Sequence, residues 1–517
     1  MAVLPGMWRE WVAEKFLRRE GAPGPAAEHV FQYLLGAAKP HGQGRIHEDA
    51  TVAKGADNFY ERQYRQYFNP AMGAFAMTAT QALLASSGPP RGLLWGRYRK
   101  TSAAMLEENG GALPILVLSR QTAAVPLLLP RPNDQTERSA IGSWLCGQAR
   151  MPMRYRQLVA GEEVHCAEPH VRSRERSADG ALLEVVDCAV RSTKLALLAL
   201  HPHDLDAMGL HITLFGVAVL TPEQLESDYG LGPDSLSAWR CAASRSGSML
   251  MFCAGATEEV FTQCSQNLFI KRPVSHQARR ARAAWPNAWS PVRPLESLLA
   301  MQFESLQVTV SASGLPGASP RNGGRGKALF LGRRGGKAYL LIPYYPGNAV
   351  HGHAAKLWSN PYGSIMIYDD HSALSAVTIS GPSRVLTHER VRRDFPATAS
   401  EAGGGGGDKQ TAAHDPEYWF LQEVAEIVQQ SEPLAANSLD PARPSCSISA
   451  GGEARHGKKP AYFAANTLPP YDQHLQHKRE KAGRPLDPSG GEHGRWNECV
   501  RSALEARRVH LDRTQEW

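Results

Sequence analysis

Two distant stretches of the chain carry the same strand-like text. ITLFGVAVLTPEQ begins at Ile212 and VTISGPSRVLTHER begins at Val377. Both run a β-branched residue, Thr, an aliphatic residue, a variable one, Gly, a short run, Val-Leu-Thr, and then an acidic residue two positions on. Repetition constrains a fold strongly, because repeated units bury their faces against one another. Glycine inside a strand adds a second constraint, since it permits a bulge or bend of the kind a closing barrel needs. The upstream runs ALPILVLSR and KAYLLIPYY are alike in type as well. The pair therefore points to two copies of one β-rich domain in a single polypeptide.

The rest of the sequence divides around these copies. Residues 1–85 read as an irregular extension, rich in Pro, Gly and His. It opens on an amphipathic helix with Trp8, Trp11, Val12 and Phe16 on one face, and it ends near an aromatic-basic patch, NFYERQYRQYFNP. Residues 86–270 form the first, more degenerate β block and residues 271–430 the second. The longest apolar pieces, LEVVDCAVRSTKLALLAL and ALPILVLSRQTAAVPLLLP, read as buried strands. In DPEYWFLQEVAEIVQQ, Tyr418, Leu421, Val424 and Val428 recur at spacings of three and four, which predicts a closing helix. The glycine run before it reads as a flexible loop. Residues 431–517 are Pro-, Gly-, Ser- and charge-rich and read as a tail without a core of its own, ordered only across other surfaces.

Composition excludes several classes. No apolar run reaches the length of a transmembrane helix. The start is too short in its apolar part and too charged for a secretory signal. Glu10, Glu14 and Glu20 are unlike a mitochondrial presequence, so organelle targeting and a partner- or membrane-surface helix stay open as alternatives. A net charge of +7 is compatible with an RNA or anionic-membrane neighbour and too weak to argue for one. Eight cysteines contain no CxxC pair, against a zinc ribbon or thioredoxin-like motif, and read as reduced, buried thiols. HCAEPH and HPHD gather histidines without a fourth-ligand spacing and read as loops, so no metal site is expected. GGRGKALFLGRRGGK lacks the P-loop spacing, and no GxSxG elbow occurs. The basic run QARRARAAW reads as a solvated face.

Within the second block the order of elements is specific. RPLESLLAMQ leads into FESLQVTVSASGLPGASP, then GKALFLG, then KAYLLIPYYPGNAVHGHAAKLWSNPYGSIMIYD, and last VTISGPSRVLTHE. Pro361 ends the short helix HAAKLWS and biases Asn360 toward extended backbone, so YGSIMIYD starts a strand. This arrangement resembles the FMN-binding split-barrel superfamily, the pyridoxamine 5'-phosphate oxidase-like proteins, nearest to its CREG-type and haem-utilisation-type branches. The resemblance covers about residues 285–430, and through the repeat a degenerate copy at about 90–240. It implies an α+β, β-rich architecture: tandem split β-barrel domains with helical additions and extended termini. It also implies an FMN phosphate site at the interface of two barrels, where His353 and Lys356 match the family position and Tyr344 and Ser364 are secondary candidates.

Two departures weaken the site. The strand before it, ALFLGRR, places both arginines in the following turn, and the first block offers only LALLALHPHDLDAMGLH where HAAK and Asn-Pro are expected. With no other catalytic constellation, the expectation is a non-catalytic pseudoenzyme without cofactor. It would be a structural subunit bound to protein partners in a large assembly, with a mitochondrial respiratory complex as one host. The competing expectation is an FMN-dependent oxidoreductase or flavin- or haem-binding protein. A third is an RNA-contacting, organellar ribosome-associated protein using the N-terminal aromatic-basic patch.

Overall fold

A computed structural model describes residues 67–68, 70–91, 98–108, 112–132, 144, 151–164, 170–200, 209–232, 234–263, 269–272, 295–300, 302, 304–322, 328–344, 352–368, 376–403, 416, 418–430 and 438–444. The N-terminal amphipathic helix, most of the aromatic-basic patch, HPHD, QARRARAAW, all of HCAEPH but His170, and all of the C-terminal tail except 438–444 lie outside these residues.

The first half runs α1 (Pro70–Thr78), β1 (Gln81–Arg91), β2 (Tyr98–Glu107), β3 (Leu116–Ser119), β4 (Thr122–Pro130), α2 (Met153–Ala160), β5 (Glu162–Val164) and β6 (Arg172–Arg176). It continues with α3 (Ala178–Ser192), β7 (Lys194–Leu200), β8 (Gly209–Leu220), α4 (Pro222–Tyr229), α5 (Ser237–Ser246) and β9 (Ser248–Gln263). α1 and β1 thus begin inside the stretch read as an extension. β10 (Phe269–Arg272) follows, then the second half: α6 (Leu295–Leu299), β11 (Glu304–Val310), β12 (Pro316–Asn322), β13 (Phe330–Arg334), β14 (Lys337–Tyr344), α7 (Gly352–Ser359) and β15 (Tyr362–Tyr368). The described chain ends with β16 (Ala376–Thr387), α8 (His388–Asp394), α9 (Pro396–Gly403), β17 (Tyr418–Glu423), β18 (Glu426–Gln430) and β19 (Ser438–Pro444), which pairs with β10.

The duplication is explicit in the sheets. The first follows β2-β1-β7-β8-β9-β4-β3 and the second β12-β11-β15-β16-β17-β14-β13, which is the same order strand for strand. The repeated text falls on β8 and β16, as expected. The counterpart of β14 is β4, however, and not the ALPILVLSR run that holds β3. Each repeated strand ends at an N-cap: the Thr221 hydroxyl accepts from Gln224 N in a capping box, and the Thr387 hydroxyl accepts from Arg390 N. The shared glycine behaves differently in the two copies. Gly216 takes φ +62° at a break in the β8–β9 register, a bulge. Gly381 keeps β16 in register with β15. There β16 changes neighbours, from β18 along Val377–Ser380 to β17 along Ser383–Thr387, and the Pro382 ring falls where no ladder donor is needed.

Two segments depart from the sequence expectation. DPEYWFLQEVAEIVQQ forms β17 and β18, not a helix. Tyr418 to Gln422 are all buried, because β17 lies between β14 and β16 with cores on both faces. A strand buried on both sides has no polar face, and its accidental helical spacing carried no information. Conversely, LEVVDCAVRS belongs to α3 rather than to a strand. Ser177 caps it by accepting from Gly180 N, and its buried stripe of Leu182, Val185, Val186 and Ala189 follows helical spacing.

Burial explains how the halves join. Leu84 on β1 and Leu195, Leu197 and Ala199 on β7 face the first half's own core, while Ile365 and Ile367 on β15 face the second half's. The alternate residues form a shared third core. In it Leu83, Ala85, Ala196, Leu198 and Leu200 meet Leu306, Val308, Ala318, Met366 and Ala376. Both faces of these strands are therefore apolar, and each half covers the other. β18 adds a further link by pairing in parallel with β6 of the first half.

Candidate functional site

The strand registers define two equivalent positions at the seam. Leu83 pairs with Leu198, and Leu306 with Met366. Counting back along the chain from Leu198 and Met366, α7 superposes on α3, with Val185 at the position of His353 and Cys188 at that of Lys356. The counterpart of HAAK and Asn-Pro is thus the end of α3 with Thr193, the one described non-glycine residue at positive φ, and not the LALLALHPHDLDAMGLH run. Contacts obey the same symmetry. Thr309 Oγ1 bonds His353 Nδ1 at 2.8 Å, while its equivalent Ser86 donates to Val185 O at 2.8 Å. Lys356 lies against Gly317, while Cys188 Sγ lies 3.7 Å from Ser102 Oγ, Ser102 being the equivalent of Gly317.

At the α7 position, basic groups converge. Lys356 is 8% exposed, and its Nζ lies 3.2 Å from where a Cβ on Gly317 would sit, so the lysine packs closely over that glycine. Arg321 Nε donates to Gln307 Oε1 at 2.8 Å, and its guanidinium covers the Tyr344 ring at 5.3 Å and the Phe420 ring at 5.1 Å. Tyr344 stacks on Tyr418 with centroids 4.3 Å apart. From the first half, His211 is buried and donates through Nδ1 to Ala318 O at 3.1 Å. Burial, and then the charges of Arg321, Lys356 and His211, hold the His353 imidazole well below its ordinary value, so it stays neutral.

Of the four residues expected from the sequence, His353, Lys356 and Tyr344 gather around Arg321. Ser364 does not join them. It is buried between Thr101 of the first half, to which its hydroxyl bonds, and Ser380 Oγ at 2.7 Å. Arg333 and Arg334 lie at the exposed end of β13, not in the turn, and pair with Glu296 and Asp394. Sequence reasoning missed Arg321 and His211: neither sits in a motif, and the seam joins them across more than a hundred residues.

Asn360 has a separate role. Its Oδ1 accepts from Arg99 N at 2.7 Å, and its Nδ2 donates to Arg99 O at 3.0 Å and Val310 O at 2.9 Å. Beside it Tyr98 stacks on Tyr362 at 5.1 Å, and Arg99 Nε donates to Ala312 O at 2.8 Å. The Asn-Pro break thus clamps β2 of the first half to the second.

Two β-rich units of the same strand order in one chain, joined through a shared core, are what this topology defines. No protein-family model matches the sequence, and no curated protein matches it. Several solved structures are similar over about a quarter of the chain. HupZ of Group A Streptococcus is 17% identical, over 28% of this chain and 99% of that one, with a TM-score of 0.20. The heme storage protein HutZ of Vibrio cholerae is 14% identical over 28% and 92%, with a TM-score of 0.16. A putative pyridoxamine 5'-phosphate oxidase of Listeria innocua is 15% identical over 26% and 96%, with a TM-score of 0.17. Among the described residues no cluster of metal-ligating side chains occurs, and no helix is long and apolar enough to cross a membrane.

Proposed function

We propose that this chain is a non-catalytic interaction subunit, built on tandem split barrels whose cofactor position has become a structural joint. The observation that carries this reading is the use made of the four candidate residues. His353 is bonded to Thr309, Lys356 is packed on Gly317, Ser364 is held between Thr101 and Ser380, and Tyr344 is stacked on Tyr418. All four serve internal contacts.

The residues do not fit a flavin phosphate. At the α7 position the phosphate would have to draw Lys356 away from its packing over Gly317. At the α3 position the matching side chains are Val185 and Cys188. Burial raises the Cys188 thiol above its ordinary range, so it contributes no charge. Neither offers the cationic or hydrogen-bonding partner that a dianion needs.

We further propose a multiprotein host, mitochondrial in location, with the long terminal segments as the contacting parts. The experiment is affinity purification of the tagged full chain. A colourless protein that co-elutes with a defined set of subunits is the expected result. Flavin co-purifying with the wild type and lost in Lys356→Glu would replace this reading with the FMN-dependent oxidoreductase.

A further inference from the structure

A second feature of the seam belongs to this chain's own additions and not to the duplicated framework. Between β4 and α3 the first half inserts α2, β5 and β6, whereas the second half passes from β14 to α7 in a few residues. This insert builds one wall of a cleft of about 600 Å³, whose other walls are α3, the ends of β1 and β2, and Glu426 on β18. Seven of its lining side chains are cationic, against the three carboxylates Glu184, Asp187 and Glu426.

We propose that this cleft binds a small molecule carrying two or more phosphate groups. β6 reads Arg-Ser-Arg-Glu-Arg, and alternate residues on a strand share a face about 7 Å apart. Arg172, Arg174 and Arg176 therefore form a file along one wall. Parallel pairing to β18 holds the file in place, Glu426 opposite Arg172, Val428 opposite Arg174 and Gln430 opposite Arg176. Exposure falls along it. Arg172 is exposed, Arg174 is intermediate, and Arg176 is 6% exposed at the floor. A file that descends into a cleft suits a ligand entering end-on. A polymer backbone lying along a surface would meet arginines of equal exposure.

The charges are incompletely matched. Glu426 takes Arg174 at 2.8 Å and Lys100 at 3.3 Å, Glu184 takes Arg176, and Asp187 takes Arg191 at 2.9 Å. Arg91, Arg156 and Arg172, at the rim, have no carboxylate partner among the described residues, and the buried Arg174 Nε has no hydrogen-bond acceptor there. Burial first, and then the neighbouring Arg174, push the Arg176 guanidinium down to about 9. Guanidinium forks bind phosphate oxygens in pairs, which lysines do not. The described lining is dominated by these cations and holds no aromatic ring.

Isothermal titration of the full chain with inorganic tripolyphosphate tests this directly. One-to-one binding, tighter than that of orthophosphate, is expected. Arg172→Glu and Arg91→Glu, both at exposed positions that leave the core intact, should each weaken it by about tenfold or more. Arg384→Glu, exposed on β16 and away from the cleft, should leave it unchanged. An ATP arm identifies the source: tighter binding than tripolyphosphate assigns a nucleotide, and equal binding assigns the phosphate chain alone. The proposal is overturned if tripolyphosphate does not saturate. It is equally overturned if the cleft variants bind like wild type, or if a short single-stranded RNA displaces tripolyphosphate at lower concentration.

Discussion

Replacing Asn360 with Ala should separate the two halves more effectively than any other single polar substitution at the seam. The side chain is 1% exposed and makes three hydrogen bonds, two of them to Arg99 in the other half. At roughly 1 kcal/mol net per bond, the loss is about 3 kcal/mol, and it rises if the abandoned Arg99 and Val310 groups stay dry. For halves of this size that corresponds to a fall in melting temperature of roughly 6–12 °C. Pseudosymmetry supplies a control. Ser192 occupies the equivalent position in the first half, and its hydroxyl bonds only Ala189 O and Lys194 O nearby. Ser192→Ala should therefore cost about 1 kcal/mol or less. Asn360→Asp keeps the acceptor for Arg99 N but sets a carboxylate against two carbonyl oxygens, so it should be no better than Ala. Urea unfolding of the full chain, followed by tryptophan fluorescence, measures all three. A loss below about 1 kcal/mol for Asn360→Ala, or an equal loss for Ser192→Ala, would refute the clamp.

Four further outcomes are expected. Gly381→Ala would bring a Cβ to 1.9 Å from Glu423 O, so the β16–β17 ladder must part, and a loss of about 3 kcal/mol is expected in thermal melts. Gly352→Ala, with nothing within 4 Å, should be neutral or mildly stabilising. Thr387→Ala should cost about 1 kcal/mol through its cap on α8, and Thr387→Asp should restore it; failure of Asp to rescue would mean the hydroxyl acts elsewhere. His353 is held neutral in the native state, well below the ordinary 6.5, while the unfolded chain takes up a proton as pH falls through that value. Stability from this group is therefore complete above the unfolded value and declines on acidification below it. Urea midpoints across that range should fall less steeply in His353→Gln than in wild type, and parallel curves would contradict the assignment.

Much of the second half was legible because its signals are local. Pro361 stops α7 and releases β15, and the period of two in YGSIMIYD sends Ile365 and Ile367 to one core and Met366 to another. Segments were misread where local spacing and tertiary burial disagree. Tyr418, Leu421 and Val424 keep helical intervals, yet Trp419 and Phe420 between them are equally buried, which only a strand with two covered faces explains. For α3 the usable signal was present, a Ser177 cap before a helical stripe, but its high apolar content hid it. His353 and Lys356 could be placed by motif. Arg321, His211 and the β6 arginine file could not, since each acquires meaning only when the halves close. The alternating Arg-Ser-Arg-Glu-Arg was the one visible hint of that file.

The most direct test of the joint is a flavin titration of the purified full chain, followed by quenching of FMN fluorescence, alongside Lys356→Glu. If the α7 position is a structural contact, FMN fluorescence stays unquenched in both proteins, and Lys356→Glu lowers stability by burying a carboxylate beside Gly317. Saturable quenching in the wild type that disappears in Lys356→Glu, with stability unchanged, would contradict the account.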